Sequence, residues 1–265
     1  MGSATTEALA AARHALDRAG SSVGLKTAEE LFAVGHVLGG SAQLRALLAD
    51  PSSTESDKDE IVRRVFGGSV SEQTLSLVSS LVGQRWSRQD DLLAGIEEIG
   101  IRAIASSAPA GVSLDAELFS VANAVAGNAE LELALRSKLA TPEAKAALVE
   151  KILAGTASEQ TVALVRQIVI QPRGRSARVA LRKTAAIVAS QEGLSIATVT
   201  SARPLSDAQL ERLQAGLSRA YGRDLRFNQV VDPSLIGGLR VQVGDDVIDS
   251  SVATRLADVR LQLAG

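Results

Sequence analysis

The sequence repeats itself, and this limits the possible folds more than any other feature. The segment LFAVGHVLGGSAQLRALLADPSSTESDKDEIVRRVFGGSVSEQT from Leu31 returns from Leu118 as LFSVANAVAGNAELELALRSKLATPEAKAALVEKILAGTASEQT. The offset is a constant 87 residues, with no gap through Ser71–Thr74 and Ser158–Thr161, which both read SEQT. A fixed period of this kind is the mark of a duplicated structural unit, which must be placed before any element is assigned.

Each copy reads as short amphipathic helices, because apolar residues recur at three- and four-residue steps between polar caps. Thr27 with Glu30 reads as a capping box ahead of Leu31, Phe32 and Val34. A short helix follows near Ala42–Leu48. Pro142 after Thr141 opens another, carrying Leu148, Val149, Ile152 and Leu153, with Ile61, Val62, Val65 and Phe66 as counterparts. The SEQT strings start the next pair. The last pair follows an Arg-marked turn, at Arg88 or Arg175, and spans Asp90–Ala105 or Ala177–Gln191. Residues 106–112, SSAPAGV, are the expected joint, and Thr5–Ala19 reads as an extra N-terminal helix.

After Gly193 the period changes to alternation, with Ile196, Thr198 and Thr200 on one side and Ala197 and Val199 on the other. Ser206 with Gln209 caps a helix that stops at Gly222. LRFNQVVD, GLRVQVG and VID then read as strands, and Val252, Leu256, Val259, Leu261 and Leu263 as the face of a final helix. The expected fold is mainly α with a small α+β C-terminal domain: helical bundles over 1–108 and 112–193, then a strand-helix-strand-strand-strand-helix module over 194–265.

Catalytic patterns are missing from the sequence. His14 and His36 stand alone, without metal-ligand spacing. There is no phosphate-cradling GxxxxGK[ST] string and no GxSxG elbow. Gly237-Gly238 reads as a backbone device and Asp245-Asp246 as a turn. With no cysteine, the chain has no thiolate metal site, and a cytoplasmic setting is expected. No cofactor and no metal are expected. Six aromatic residues and two more acidic than basic side chains argue against nucleic acid. No run is long and apolar enough to span a bilayer, so direct membrane insertion is not expected. One charge contrast stands out. Residues 31–104 hold seven basic and ten acidic side chains, and residues 118–191 hold ten basic and five acidic. Arg173, Arg175, Arg178, Arg182 and Lys183 form a cluster that reads either as a solvated face or as a site for an acidic partner.

The C-terminal string RFNQVVDPSLIGGLRVQVGDDVIDSSVATRLADVRLQLAG resembles the signature of the delta subunit family of bacterial F-type ATP synthases, homologous to the mitochondrial oligomycin-sensitivity-conferring subunit. Val230, Asp232, Leu235, Ile236, Gly237, Gly238, Leu239, Arg240, Val241, Gly244 and Asp249 fill its pattern. Both helical copies also keep the family's Gln closely followed by Arg, at Gln84–Arg88 and Gln171–Arg175. The usual member has one bundle, and the duplicated form resembles that of actinobacterial relatives. At the N-terminus EALAAARHAL stands where the family has an aromatic-bearing helix.

The resemblance implies a non-catalytic stator subunit in the peripheral stalk. Its helical bundle would grip the amphipathic N-terminus of an alpha subunit at the crown of the catalytic hexamer, and its C-terminal domain would bind subunit b. Leu9, Ala12, Leu16, Leu75, Val78 and Val82 are the expected contacts with alpha, and Leu256, Val259 and Leu263 those with b. The expected location is peripheral, on the cytoplasmic face of the bacterial plasma membrane. A free-standing helical-repeat adaptor is the rival reading, and an enzyme with a site between its domains a third.

Overall fold

A computed structural model describes residues 2–137, 139–222, 224–243 and 246–249. Its first helix is α1 (Ser3–Ala19), followed after a short 3-10 turn by α2 (Leu25–Gly40), α3 (Ala42–Ala49), α4 (Glu55–Phe66), α5 (Glu72–Gly83) and α6 (Gln89–Ser106). Then come α7 (Leu114–Gly127), α8 (Ala129–Arg136), α9 (Pro142–Leu153), α10 (Glu159–Ile170) and α11 (Ala177–Gln191). The 87-residue offset carries α3, α4 and α5 onto α8, α9 and α10 at both ends of each helix.

The caps repeat with the helices. Ser41 and Asn128 accept from the amides of Leu44 and Leu131, Thr54 and Thr141 from those of Asp57 and Ala144, and Ser71 and Ser158 from those of Thr74 and Thr161. Each satisfies a backbone donor that the helix itself leaves free, worth about 1 kcal/mol.

One expected cap is not formed. Helix α2 begins at Leu25 behind Gly24, so Thr27 is buried inside it and Glu30 points away from its N-terminus. Glu30 instead accepts from Ser71, at 3.0 Å from N and 2.6 Å from Oγ, while Glu117 does the same for Ser158 at 3.0 and 2.7 Å. In each copy a carboxylate on the second helix of the bundle fastens the start of the SEQT helix.

The N-terminal helix is not an extra element. Moved by 87 residues, α1 falls on 90–106, which is α6. Its buried residues Thr5, Ala8, Leu9, Ala12 and Leu16 fall on Leu92, Gly95, Ile96, Ile99 and Ala103, all buried. Helix α6 therefore closes the first bundle and opens the second. Thirteen of its 18 residues are buried for that reason. Helices α1, α6 and α11 form a row, each packed on the next. They run parallel: Thr5 pairs with Asp91 and Arg13 with Glu98, and Arg102 reaches Ser190 and Gln191. The buried apolar residues of both copies accordingly form one continuous cluster, from Ala8 to Val188.

The C-terminal module holds β1 (Ser195–Ser201), α12 (Asp207–Tyr221), β2 (Leu225–Val231), β3 (Leu239–Val243) and β4 (Asp246–Asp249). The sheet order is β2-β1-β3-β4. β1 and β2 are parallel, as their connection through α12 permits, and β3 pairs antiparallel with β1 and β4. Ala197, Val199, Leu225, Val241 and Val243 form a separate core. Arg226 on β2 ties the module to the helices through Asp115, 2.7 Å away and fully buried.

Candidate functional site

The six expected alpha contacts lie together on α1 and α5. Leu9, Ala12, Leu16, Leu75, Val78 and Val82 are 0–5% exposed, inside the first bundle. They hold the two helices in place, and the surface those helices present is their outer edge. On that edge Thr6 and Ala10 of α1 and Ser76 of α5 are exposed, and Ser80 and Gly83 are half-buried. Leu256, Val259 and Leu263, and Gly244 of the C-terminal signature, lie outside the described residues.

The other signature residues shape the chain between strands. Asp232 accepts from the Ser234 amide at 2.9 Å and hydroxyl at 2.6 Å, and these bonds hold its carboxyl below the ordinary value of 3.8. Its own amide donates to Ser201 O at 2.8 Å, so it fixes the exit from β2. Gly237 and Gly238 have φ of 141° and 83°, a conformation that side chains disfavour, as the chain enters β3. Arg240 stands opposite Asp249 across the β3–β4 pair. These residues set the path of the backbone. His14 and His36 are both exposed, and among the described residues no cluster of three metal-ligating side chains occurs.

The arginine cluster divides. Arg173 and Arg175 meet an acidic group within the chain: Glu97 on α6, at 2.9 and 2.5 Å. Arg173 also donates to Asp90 O at 2.9 Å. The turn that carries it has φ of 50° at Arg173 and 74° at Gly174, which folds the loop back onto α6. Arg178, Arg182 and Lys183 remain exposed on α11.

Beside this clamp, buried Arg102 bonds Glu98 at 3.0 Å, Ser190 Oγ at 3.0 Å and Gln191 Oε1 at 2.9 Å. Gln171, the family glutamine of the second copy, donates to Gly35 O of α2 at 3.0 Å. Sequence reading missed Glu97, Glu98 and Arg102 as cross-copy anchors. A signal was present, since these charges sit in an apolar helix where the second copy has Thr184, Ala185 and Ala189.

The arrangement is one of helices joined by ionic clamps, with an edge of α1 left exposed among the described residues. Known proteins resemble the chain in sequence along its whole length. The family model described as ATP synthase delta (OSCP) subunit matches residues 11–98 and 102–263, the second match starting inside α6, the helix the copies share. A Leifsonia xyli subsp. xyli protein named ATP synthase subunit delta is 58% identical over 265 residues, 100% of both chains. Its namesakes from Streptomyces griseus and Kineococcus radiotolerans are 41% and 43% identical, covering 100% of both chains and 97% and 95% respectively. Among solved structures, a chain of the Toxoplasma gondii mitochondrial ATP synthase hexamer aligns with a TM-score of 0.38 and 24% identity, over 58% of this chain and 87% of that one. A duplicated helical bundle, a Gly-Gly-bearing C-terminal module and full-length relatives agree, and the chain belongs to the ATP synthase delta (OSCP) subunit family.

Proposed function

We propose that this chain is a non-catalytic subunit of the peripheral stalk, holding the catalytic alpha/beta hexamer still against the rotor so that proton flow drives ATP formation. The N-terminal helix of an alpha subunit docks on the outer edge of α1 and α5, which Leu9, Ala12, Leu16, Leu75, Val78 and Val82 hold in register from within. Subunit b is met by the C-terminal module through Leu256, Val259 and Leu263. The three units, 1–108, 112–193 and 194–265, act as one strut at the cytoplasmic face of the plasma membrane, attached through the complex. No single described helix is long and apolar enough to cross a membrane.

The observation that carries this reading is the row of α1, α6 and α11. It is braced by buried charges at each contact, and its first member has a side left exposed among the described residues. A part that transmits torque needs such stiffness and helix-binding edges, and needs no reactive side chains. The test is reconstitution of the complex in vesicles with and without the chain. Proton-driven ATP synthesis should fall to background without it and return on its addition, while ATP hydrolysis by the free head continues. Undiminished synthesis without the chain overturns the proposal. A chain ending at Asp249 should still bind the hexamer and lose subunit b.

A further inference from the structure

The duplication places two equivalent helix edges in one chain, α1/α5 in the first copy and α6/α10 in the second. They differ in occupancy. Helix α2 packs against both α6 and α10. Its Glu29, Phe32, Ala33, His36 and Val37 face Ala163, Arg166, Gln167 and Ile170 of α10 across a narrow cleft. Gln171, at the end of α10, anchors α2 by donating to Gly35 O, and Gly39 leaves room for the amide, because a Cβ there would collide with Gln171 Nε2. Buried Gln167 holds the other end of the same amide, donating to Gln171 Oε1 at 3.1 Å.

The equivalent glutamine of the first copy is Gln84. It donates at 3.3 Å to Ser80 O of its own helix and is half-buried at the rim of a surface cleft. The α5 residues that correspond to Ala163, Arg166, Gln167 and Ile170 are Ser76, Ser79, Ser80 and Gly83. All four are small; Ser79 bonds Asp59 and Gly83 lies against Glu55 of α4, and Ser76 and Ser80 leave a surface that a second helix can approach closely.

We infer that the second copy's helix-binding edge is filled from within by α2, so that the chain takes up one amphipathic helix, on the first copy. There Gln84 turns from Ser80 to grip a backbone carbonyl of that helix, as Gln171 grips Gly35. The identity of the incoming helix, the N-terminus of alpha, rests on the function proposed above. The filling of the second edge by α2 does not.

Two readouts on the full-length chain separate these parts. Calorimetric titration with a synthetic peptide of the alpha N-terminal helix should give one peptide per chain. Gln84→Ala and Ser76→Arg should each weaken binding about tenfold or more. Ala163→Arg, or Ala33→Arg from the α2 side, should leave peptide affinity unchanged and speed amide hydrogen exchange in α2 about tenfold. Two peptides per chain, or loss of binding in Ala163→Arg but not in Ser76→Arg, overturns the inference. So does unaltered α2 exchange in both folded arginine variants. No peptide bound to any variant, with α2 loosened by Ala163→Arg, removes alpha as the occupant and upholds the filling of the second edge.

Discussion

Glu30 of the first copy and Glu117 of the second make the same bonds to Ser71 and Ser158. Glu97 and its counterpart Thr184 share only their place in the repeat: Glu97 holds two arginines of the other copy, and Thr184 is buried inside its own bundle. The same division runs through the molecule. Positions that build a bundle from within, the caps and the Glu-to-SEQT clasp, are alike in both copies. Positions at the seam between copies have diverged, because the first copy has a successor to pack against and the second does not. Duplication alone thus yields two similar folds, and a single strut requires the seam to be rewritten.

This contrast is most directly broken at Glu97. Replacing it by Ala leaves Arg173 and Arg175, each about 20% exposed, without the carboxylate they share. The expected loss is about 3 kcal/mol, typical of removing one partner of a buried ion pair. Thr184→Ala should cost about 1 kcal/mol, the value of an ordinary buried hydroxyl. Denaturant titration of both variants checks the pair, and equal losses would erase the distinction between seam and interior.

Next in size is Gly100→Ile, which copies into α6 the residue that the second copy carries at Ile187. A Cβ at Gly100 collides with the Phe32 ring, whereas Ile187 and Phe119, the residues at the two corresponding places, are both accommodated in the buried core. Overpacking should cost about 2 kcal/mol. Thermal unfolding reports it, and an unaffected midpoint would mean that the two bundles are interchangeable after all.

The smallest effect sharpens the similarity. Glu30→Gln and Glu117→Gln should each cost about 1 kcal/mol at neutral pH, Glu30→Gln slightly more because Thr74 Oγ1 also donates to Glu30 at 2.5 Å. Burial pushes both carboxyls up, but hydrogen bonds, from Ser71 and Thr74 to Glu30 and from Ser158 to Glu117, outweigh it and hold them below the ordinary 4.5. A depressed native value means that the unfolded chain binds the proton more readily. The stabilisation is therefore complete above about pH 4.5 and is lost as the pH falls through the lower native value. Denaturation curves across that range should show each Gln variant losing less stability on acidification than the parent. Equal acid sensitivity would remove the clasp from both copies.

Much of this was legible in the chain. The 87-residue offset shows when the chain is aligned with itself, and the Thr141 cap, the SEQT helix starts and the Ser206–Gln209 box are local, set by residues three or four positions apart, so a linear reading finds them. The Thr27–Glu30 pair fits the same rule and fails, because Ser71 offers Glu30 a better partner 41 residues away. The six apolar residues of α1 and α5 were readable as a face. Spacing alone cannot say whether such a face looks inward or outward, and here it looks inward.

The sequence by itself determined that two like bundles precede a mixed module, because helical period, capping and strand alternation are written over a few residues. Only the tertiary structure decided that α6 belongs to both bundles, that Arg173 and Arg175 find their acid in Glu97, and that α2 lies along α10. Each of those joins groups more than 70 residues apart. What links them is the burial of charge and apolar surface in a shared seam, and that exists only once the bundles have packed.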